Sequence, residues 1–327
     1  MLEASEQEFS SIYLPSRVNF EGVDIRPQPY IFKQGMMKHS QGKSLKNFLI
    51  LPSVLVLLCF LFVFFYGVYL SFTDLKLGKP TVNFAGLKNY VYLWKNPLFW
   101  KSTKLTIYFT LIAVIVQAFL GILLAKLFST KVFFAKLFRP IILLPLVLPP
   151  MSVALMWTTM MNPERGVLNY FLGLLGIEPF MWISQYTTAM LSVIFIDVWT
   201  YTPFFTLIIY AGLLGVNQEM KEAAQEAGAG PWTTFWKIEL PFMMPYVLIA
   251  AVFRVIESFN QFDIFIGTTG GGPAKATTVY SIYAYIQSFQ NLNFGRGTAI
   301  LFVNWWLVLI GALITIKLYQ MARNRVS

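Results

Sequence analysis

Long apolar runs alternate with short polar ones along the chain. Apolar runs occupy about residues 48–70, 105–125, 140–161, 186–216, 241–265 and 297–316. Each is long enough for the ~30 Å hydrocarbon core of a bilayer, which takes about 20 helical residues. In lipid every backbone N–H and C=O must be satisfied within the segment, so the runs predict six transmembrane helices and an all-α membrane protein. The third run carries Pro140, Pro145, Pro149 and Pro150. Proline removes a donor and clashes with the preceding turn, so a kinked or partly unwound segment is expected there. Such backbone must line a cavity or be buried in protein; a merely bent helix packed by its neighbours fits the sequence equally well.

The polar segments are unequal. Residues 1–46 lack sustained periodicity and are expected to form a cytoplasmic extension, partly disordered or surface-bound. Residues 47–327 then form the six-span domain. The stretch 35–44, GMMKHSQGKS, ends like a phosphate-binding loop. Its glycines are too far apart and no strand precedes it, so an ATP site is not expected. Residues 74–104, 162–185 and 268–296 read as loops on one side. Between the fourth and fifth runs lies EMKEAAQEAGAGPWTTFWKIELP, residues 219–241. Its Glu, Met, Lys, Ala and Gln residues favour helix. Gly228 and Gly230 mark a turn, where glycine suits a left-handed C-cap. Pro231 fits the first position of a second short helix. Ala223, Ala224 and Ala227 leave the first helix open to close approach by another surface.

Composition narrows the function. Residues are 57% hydrophobic and 12% charged, against roughly 25% charged in soluble domains. The net charge of +10 therefore reads as membrane-flanking charge and not as a nucleic-acid footprint. Cys59 and His39 are single, which removes a disulfide framework, thiolate clusters and most zinc sites. No nucleophile–base pair or metal-ligand set stands out, so an enzyme is not expected. The first apolar run is too long for a signal-peptide core and follows a polar segment.

The spacing Glu222-Ala223-Ala224, three residues, Gly228, nine residues, Ile238, one residue, Leu240-Pro241 resembles the "EAA" loop of inner-membrane permeases of ABC importers. The resemblance implies a type I importer permease whose cytoplasmic coupling helix docks into a groove on an ATPase subunit. One position departs: the family usually has Asp before the glycine, and Ala227 stands here. That weakens hydrogen bonding inside the loop, not docking. Phe84-Ala85-Gly86-Leu87-Lys88-Asn89-Tyr90, Gly270-Gly271-Gly272-Pro273 and Asn291-Leu292-Asn293-Phe294-Gly295 resemble outward segments of the carbohydrate (maltose and glycerol-phosphate) subfamily, where this region meets a soluble binding protein. The family implies a second, related permease as heterodimer partner, two cytoplasmic ATPase subunits holding ATP and Mg, and an extracytoplasmic solute-binding protein. The chain itself would bind no cofactor and perform no covalent chemistry. Both termini would be cytoplasmic in a multi-pass inner-membrane protein; the basic residues lean the same way, against the lysines of the first outer loop.

Ionisable groups inside spans mark a pathway, a pair or a cavity. Asp197 interrupts the fourth run, and Arg254 and Glu257 lie in the fifth. Arg254 and Glu257 are three apart and can pair on one helix face. Glu257, Ser258, Asn260 and Gln261 form a polar patch suited to hydroxyls, which want donors and acceptors. In maltose-type permeases, cargo contacts come from the spans flanking the coupling loop. Aligning the loop places the corresponding positions at about Asp197, Thr200, Tyr201 and Phe204, and at Glu257, Ser258 and Gln261, with the family's residue types not repeated. An oligosaccharide or disaccharide is the expected cargo. Arg254 and the lysine-rich loop also admit an anionic one, such as a uronic-acid oligosaccharide or glycerol phosphate. The alternative, an ion- or proton-coupled secondary transporter, predicts inverted repeats and paired broken helices; no clear repeat occurs, and it leaves residues 219–241 unexplained.

Overall fold

The structure, a computed structural model, describes residues 41–129, 133–216 and 218–323. Residues 1–40, with most of the expected extension and of the 35–44 stretch, lie outside the described residues. Two compact units divide within the first helix, residues 1–58 and 59–327.

The described residues are helical, joined by loops, with isolated bridges at Thr73–Phe84 and Lys76–Asn293. The first helix, α1 (Gln41–Ser71), is followed by α2 (Lys88–Lys95) and α3 (Pro97–Ser129). Next come α4 (Phe133–Val147), α5 (Pro150–Met160), α6 (Val167–Leu174) and α7 (Tyr186–Leu214). The segment after α7 forms α8 (Gln218–Glu226) and α9 (Pro231–Thr234), then α10 (Leu240–Phe259). Short helices α11 (Asp263–Thr268) and α12 (Tyr280–Tyr285) precede α13 (Phe294–Arg323). Among the described residues, five helical stretches are long and apolar enough to cross a membrane, and α4 with α5 makes a sixth if the bent pair is one span.

That pair is bent by 106°, more than a kink. Pro149 and Pro150 withhold consecutive backbone donors, so the ladder cannot continue across them. Beyond the break α5 packs on protein: Val153, Ala154 and Trp157 are buried, and a Cβ at Gly267 would stand 2.7 Å from that of Ala154, whereas Val147 and Pro149 at the break itself are exposed.

The interior helix is α7, and its broadest partner is α3. Buried Ala113, Gln117, Gly121 and Ala125 recur every fourth residue on α3, a stripe of mostly small residues that lets helices approach closely. A Cβ at Gly121 would lie 2.5 Å from Phe205 Cβ. On the other side of α7, a Cβ at Gly212 would lie 2.4 Å from the Tyr246 ring of α10. By contrast, Phe60, Phe62, Val63 and Phe65 of α1 are all exposed.

Helix α7 runs as expected through Asp197 and Pro203. The structure revises several sequence-based boundaries. The fifth run ends at Phe259 and resumes as α11 after a break. Residues 268–296 are no mere loop: α12 buries Tyr280, Ile282 and Tyr283 against α3 and α13. Burial pushes the Tyr280 and Tyr283 phenols up to about 12. Gly270 (φ 57°) and Gly271 (φ 93°) supply the left-handed turn before it. The 291–295 stretch meets the segment that follows α1: the Gly295 N–H donates to the Leu75 carbonyl (3.1 Å), and Leu77 donates to Leu292 (2.8 Å). Asn89 donates to both the Ser71 and Thr73 carbonyls at 2.8 Å, closing the end of α1.

Candidate functional site

The hairpin after α7 is built as its composition predicts. Gly228 adopts φ 81°. Its N–H donates to the Gln225 carbonyl and the Ala229 N–H to Ala224, both at 2.9 Å. This pair of bonds is a Schellman closure, which satisfies the last carbonyls of α8. Pro231 begins α9. From there the helix does not stop: residues Pro231–Phe259 form one span, so the expected second short helix is the root of α10. Over Phe235–Glu239 it widens, and the Leu240 N–H bonds to the Phe235 carbonyl five residues back. The widening fits Pro241, whose ring crowds the carbonyl four residues earlier in a regular helix.

The motif residues divide in two. Ile238 and Leu240, with Phe235, pack against Leu213, Val216, Met243 and Val247. Glu222, Ala223, Gly228 and Pro241 are exposed, and Ala224 is half-buried. Beside them Trp232 and Trp236 are 73% and 50% exposed, with rings 5.7 Å apart.

One motif neighbour was missed. Glu239, between Ile238 and Leu240, is buried. One carboxylate oxygen accepts from the Lys126 ammonium at the end of α3. The other lies 3.3 Å from the Lys221 ammonium on α8. A carboxylate flanked by apolar residues at the start of a span was the available signal.

A second polar cluster lies between α3, α7 and α10. Spacings of three and four put Arg254, Glu257 and Ser258 on one face of α10, and Gln261 follows in the break just beyond its end. Arg254 and Asp197 are fully buried. Arg254 Nη2 donates to Asp197 Oδ2 (2.9 Å), Asp197 Oδ1 (3.2 Å) and Ser258 Oγ (3.2 Å). Nη1 donates to Glu257 Oε2 at 2.8 Å, the pairing the helical spacing allowed. Nε donates to Gln117 Oε1 at 3.1 Å. Gln117 Nε2 and Gln261 Nε2 donate in turn to Asp197, at 2.8 and 3.1 Å. The Tyr201 ring lies 3.8 Å from the guanidinium carbon, a cation–π contact. Gln117 was also missed; a lone amide in an otherwise apolar run was its signal.

Not every candidate joins an open surface. Thr200 is buried, its hydroxyl donating to the Ile196 carbonyl at 2.7 Å. Ser258 and Gln261 are buried behind the ion pair. Asn260 is exposed but turns to α13, accepting from Asn304 at 3.0 Å. The open part consists of Tyr201 and Phe204, both half-buried, with Phe253 6.4 Å from Phe204 and the Glu257 side chain, 56% exposed. Such a face offers aromatic surface and a carboxylate acceptor, while the guanidinium behind it is occupied.

Comparison with known proteins settles the family. Residues 117–323 match the model of the binding-protein-dependent transport system inner membrane component. The chain belongs to that family. This permease is 38% identical over 72% of its length to a probable ABC transporter permease protein, y4oQ, of Sinorhizobium fredii, covering 76% of that protein. It is 32% identical to the trehalose/maltose transport system permease protein MalF of Thermococcus litoralis, over 88% of this chain and 97% of the relative. Its fold matches a chain of a bacterial ABC transporter involved in the import of the acidic polysaccharide alginate, with TM-score 0.74 and 21% identity over 86% of this chain and 96% of that one. The permease thus has the type I ABC importer fold, and it is a transport component.

Proposed function

We propose that this permease is one transmembrane subunit of an ABC importer that moves a carbohydrate into the cytoplasm, driven by ATPases on partner subunits. The observation that carries the reading is the continuity of the exposed α8–α9 hairpin with α10, which bears Arg254 and Glu257 fifteen and eighteen residues beyond Glu239. A displacement of the hairpin is a displacement of the helix that lines the polar cluster. Glu222, Ala223, Ala224 and Gly228 form the docking face for an ATPase subunit, with Trp232 and Trp236 beside it. Ile238, Leu240 and Pro241 root that face in the membrane domain. ATP and Mg belong to the ATPases, and this chain holds neither.

A single docking hairpin calls for a second permease and two ATPase subunits. The exposed rings of α1 offer a surface for lipid or for that related second permease. The hairpin and both termini face the cytoplasm in this arrangement, and the α12 end receives a solute-binding protein. Cargo passes Tyr201, Phe204 and Glu257, with Asp197, Thr200, Arg254, Ser258 and Gln261 as the wall behind them and Asn260 at its edge. Aromatic faces suit the apolar side of a sugar ring, and a carboxylate accepts from hydroxyls. Since Arg254 is engaged on all sides, a neutral oligosaccharide or disaccharide fits better than an anionic one.

The test is Gly228→Asp combined with Glu222→Lys, scored by co-purification of the ATPase subunits and by sugar uptake. Both should fall sharply. Wild-type uptake in this variant would contradict the docking role.

A further inference from the structure

We propose that Glu239 is the positioning residue of the coupling lever, the group through which a displacement of α8 reaches α3 as well as α10. The inference rests on the ATP-driven reading above. Glu239 belongs to the root of α10, Lys221 to α8 and Lys126 to the end of α3. Each oxygen of the one carboxylate serves a different helix. None of the described α8 side chains is buried, so α8 is not seated by an apolar core as α10 is. An ionic tie therefore matters more for α8 than for its neighbours.

Charge decides what the tie does. Lys126 and Lys221 carry the same sign and, without the carboxylate, would push α3 and α8 apart. Glu239 turns that repulsion into attraction. The side chain of Glu239 is only 4% exposed, whereas those of Lys221 and Lys126 are 19% and 42% exposed. A buried carboxylate is costly to leave unpaired, so it holds at least one lysine in any arrangement of the hairpin. The lysines, reaching toward water on flexible stems, can follow the carboxylate through a stroke. The tie is thus permanent at one end and compliant at the other, and it passes motion of α8 to two transmembrane helices instead of one.

The test uses the complete importer reconstituted in vesicles, with MgATP hydrolysis as the probe, measured with and without its solute-binding protein carrying the ligand it retains from the cell. For Glu239→Gln the ATPases stay bound, basal hydrolysis is unchanged, and stimulation by the binding protein falls about tenfold, within the usual range of coupling between sites. Lys221→Met should cause the same loss, Lys221→Arg should retain stimulation, and Lys221→Met should add nothing in the Glu239→Gln background. Full stimulation in Glu239→Gln, or additive losses, would overturn the inference while leaving the importer reading intact. A wild-type complex that lacks bound ATPases or shows no stimulation would instead overturn the reading beneath it. Should Glu239→Gln fail to assemble, Lys221→Met alone decides: loss supports the inference and full stimulation overturns it.

Discussion

Two polar nodes join α3 to α10, and they are built in opposite ways. In the middle of the helices, Gln117, Asp197 and Arg254 are sealed from solvent, and their hydrogen bonds close on one another. At the α8 end, buried Glu239 meets two lysines that remain partly open to solvent. A sealed node has one low-energy arrangement, because any shift leaves a buried charge or amide unpaired. The end node can stretch, since a lysine that moves off exchanges the carboxylate for water. The middle node therefore acts as a fixed pivot and the end node as a flexible tie, both on the same pair of helices. Glu257 and the Tyr201 ring, at the edge of the middle node, reach the open face.

The comparison breaks most visibly at the pivot. Arg254→Met strands Asp197 in the interior and should cost about 3–5 kcal/mol, read as a drop in the thermal midpoint of the purified complex. Asp197→Asn together with Arg254→Gln should be less damaging than the single change by at least about 1 kcal/mol, because no buried charge is then left alone. An equal loss in both variants would deny that the pair is one unit. Between the nodes, Gly212→Leu forces a side chain into the Tyr246 ring and should cost about 1–3 kcal/mol by the same assay. At the flexible end, Glu239→Gln should shift stability by less than about 1 kcal/mol, as the lysines regain water, while coupling is lost. The smallest effect is Glu257→Gln: with its side chain largely exposed, stability should stay within about 1 kcal/mol of wild type, and uptake should weaken.

Much of this was legible along the chain. Turn chemistry at Gly228 and the helical periodicity of Arg254, Glu257 and Ser258 are local, so sequence carries them. The break at Pro149 and Pro150 is equally local, though its 106° bend depends on packing against α11. The nodes themselves were not legible. Asp197 and Arg254 are 57 residues apart, Gln117 and Arg254 are 137, and Lys126 and Glu239 are 113; such pairings follow from how helices cross. Helix α12 was hidden for another reason. Its Tyr280 and Tyr283 are amphipathic and the segment is short, so hydropathy alone reads it as loop. Among the cargo-pathway candidates, the helical face was legible but not which members stay open, because burial of Thr200 and Ser258 depends on neighbouring helices.

The central claim is that the exposed hairpin and the helix bearing Arg254 move as one body. Inserting a Gly-Gly pair between Thr234 and Phe235 severs that body where the helix widens, leaving Glu222, Ala223 and Gly228 in place. Uptake of the sugar retained by the cognate binding protein, normalised to assembled complex, tests it directly. The account predicts that the ATPase subunits remain bound and uptake falls to background. Uptake at the wild-type level would contradict it.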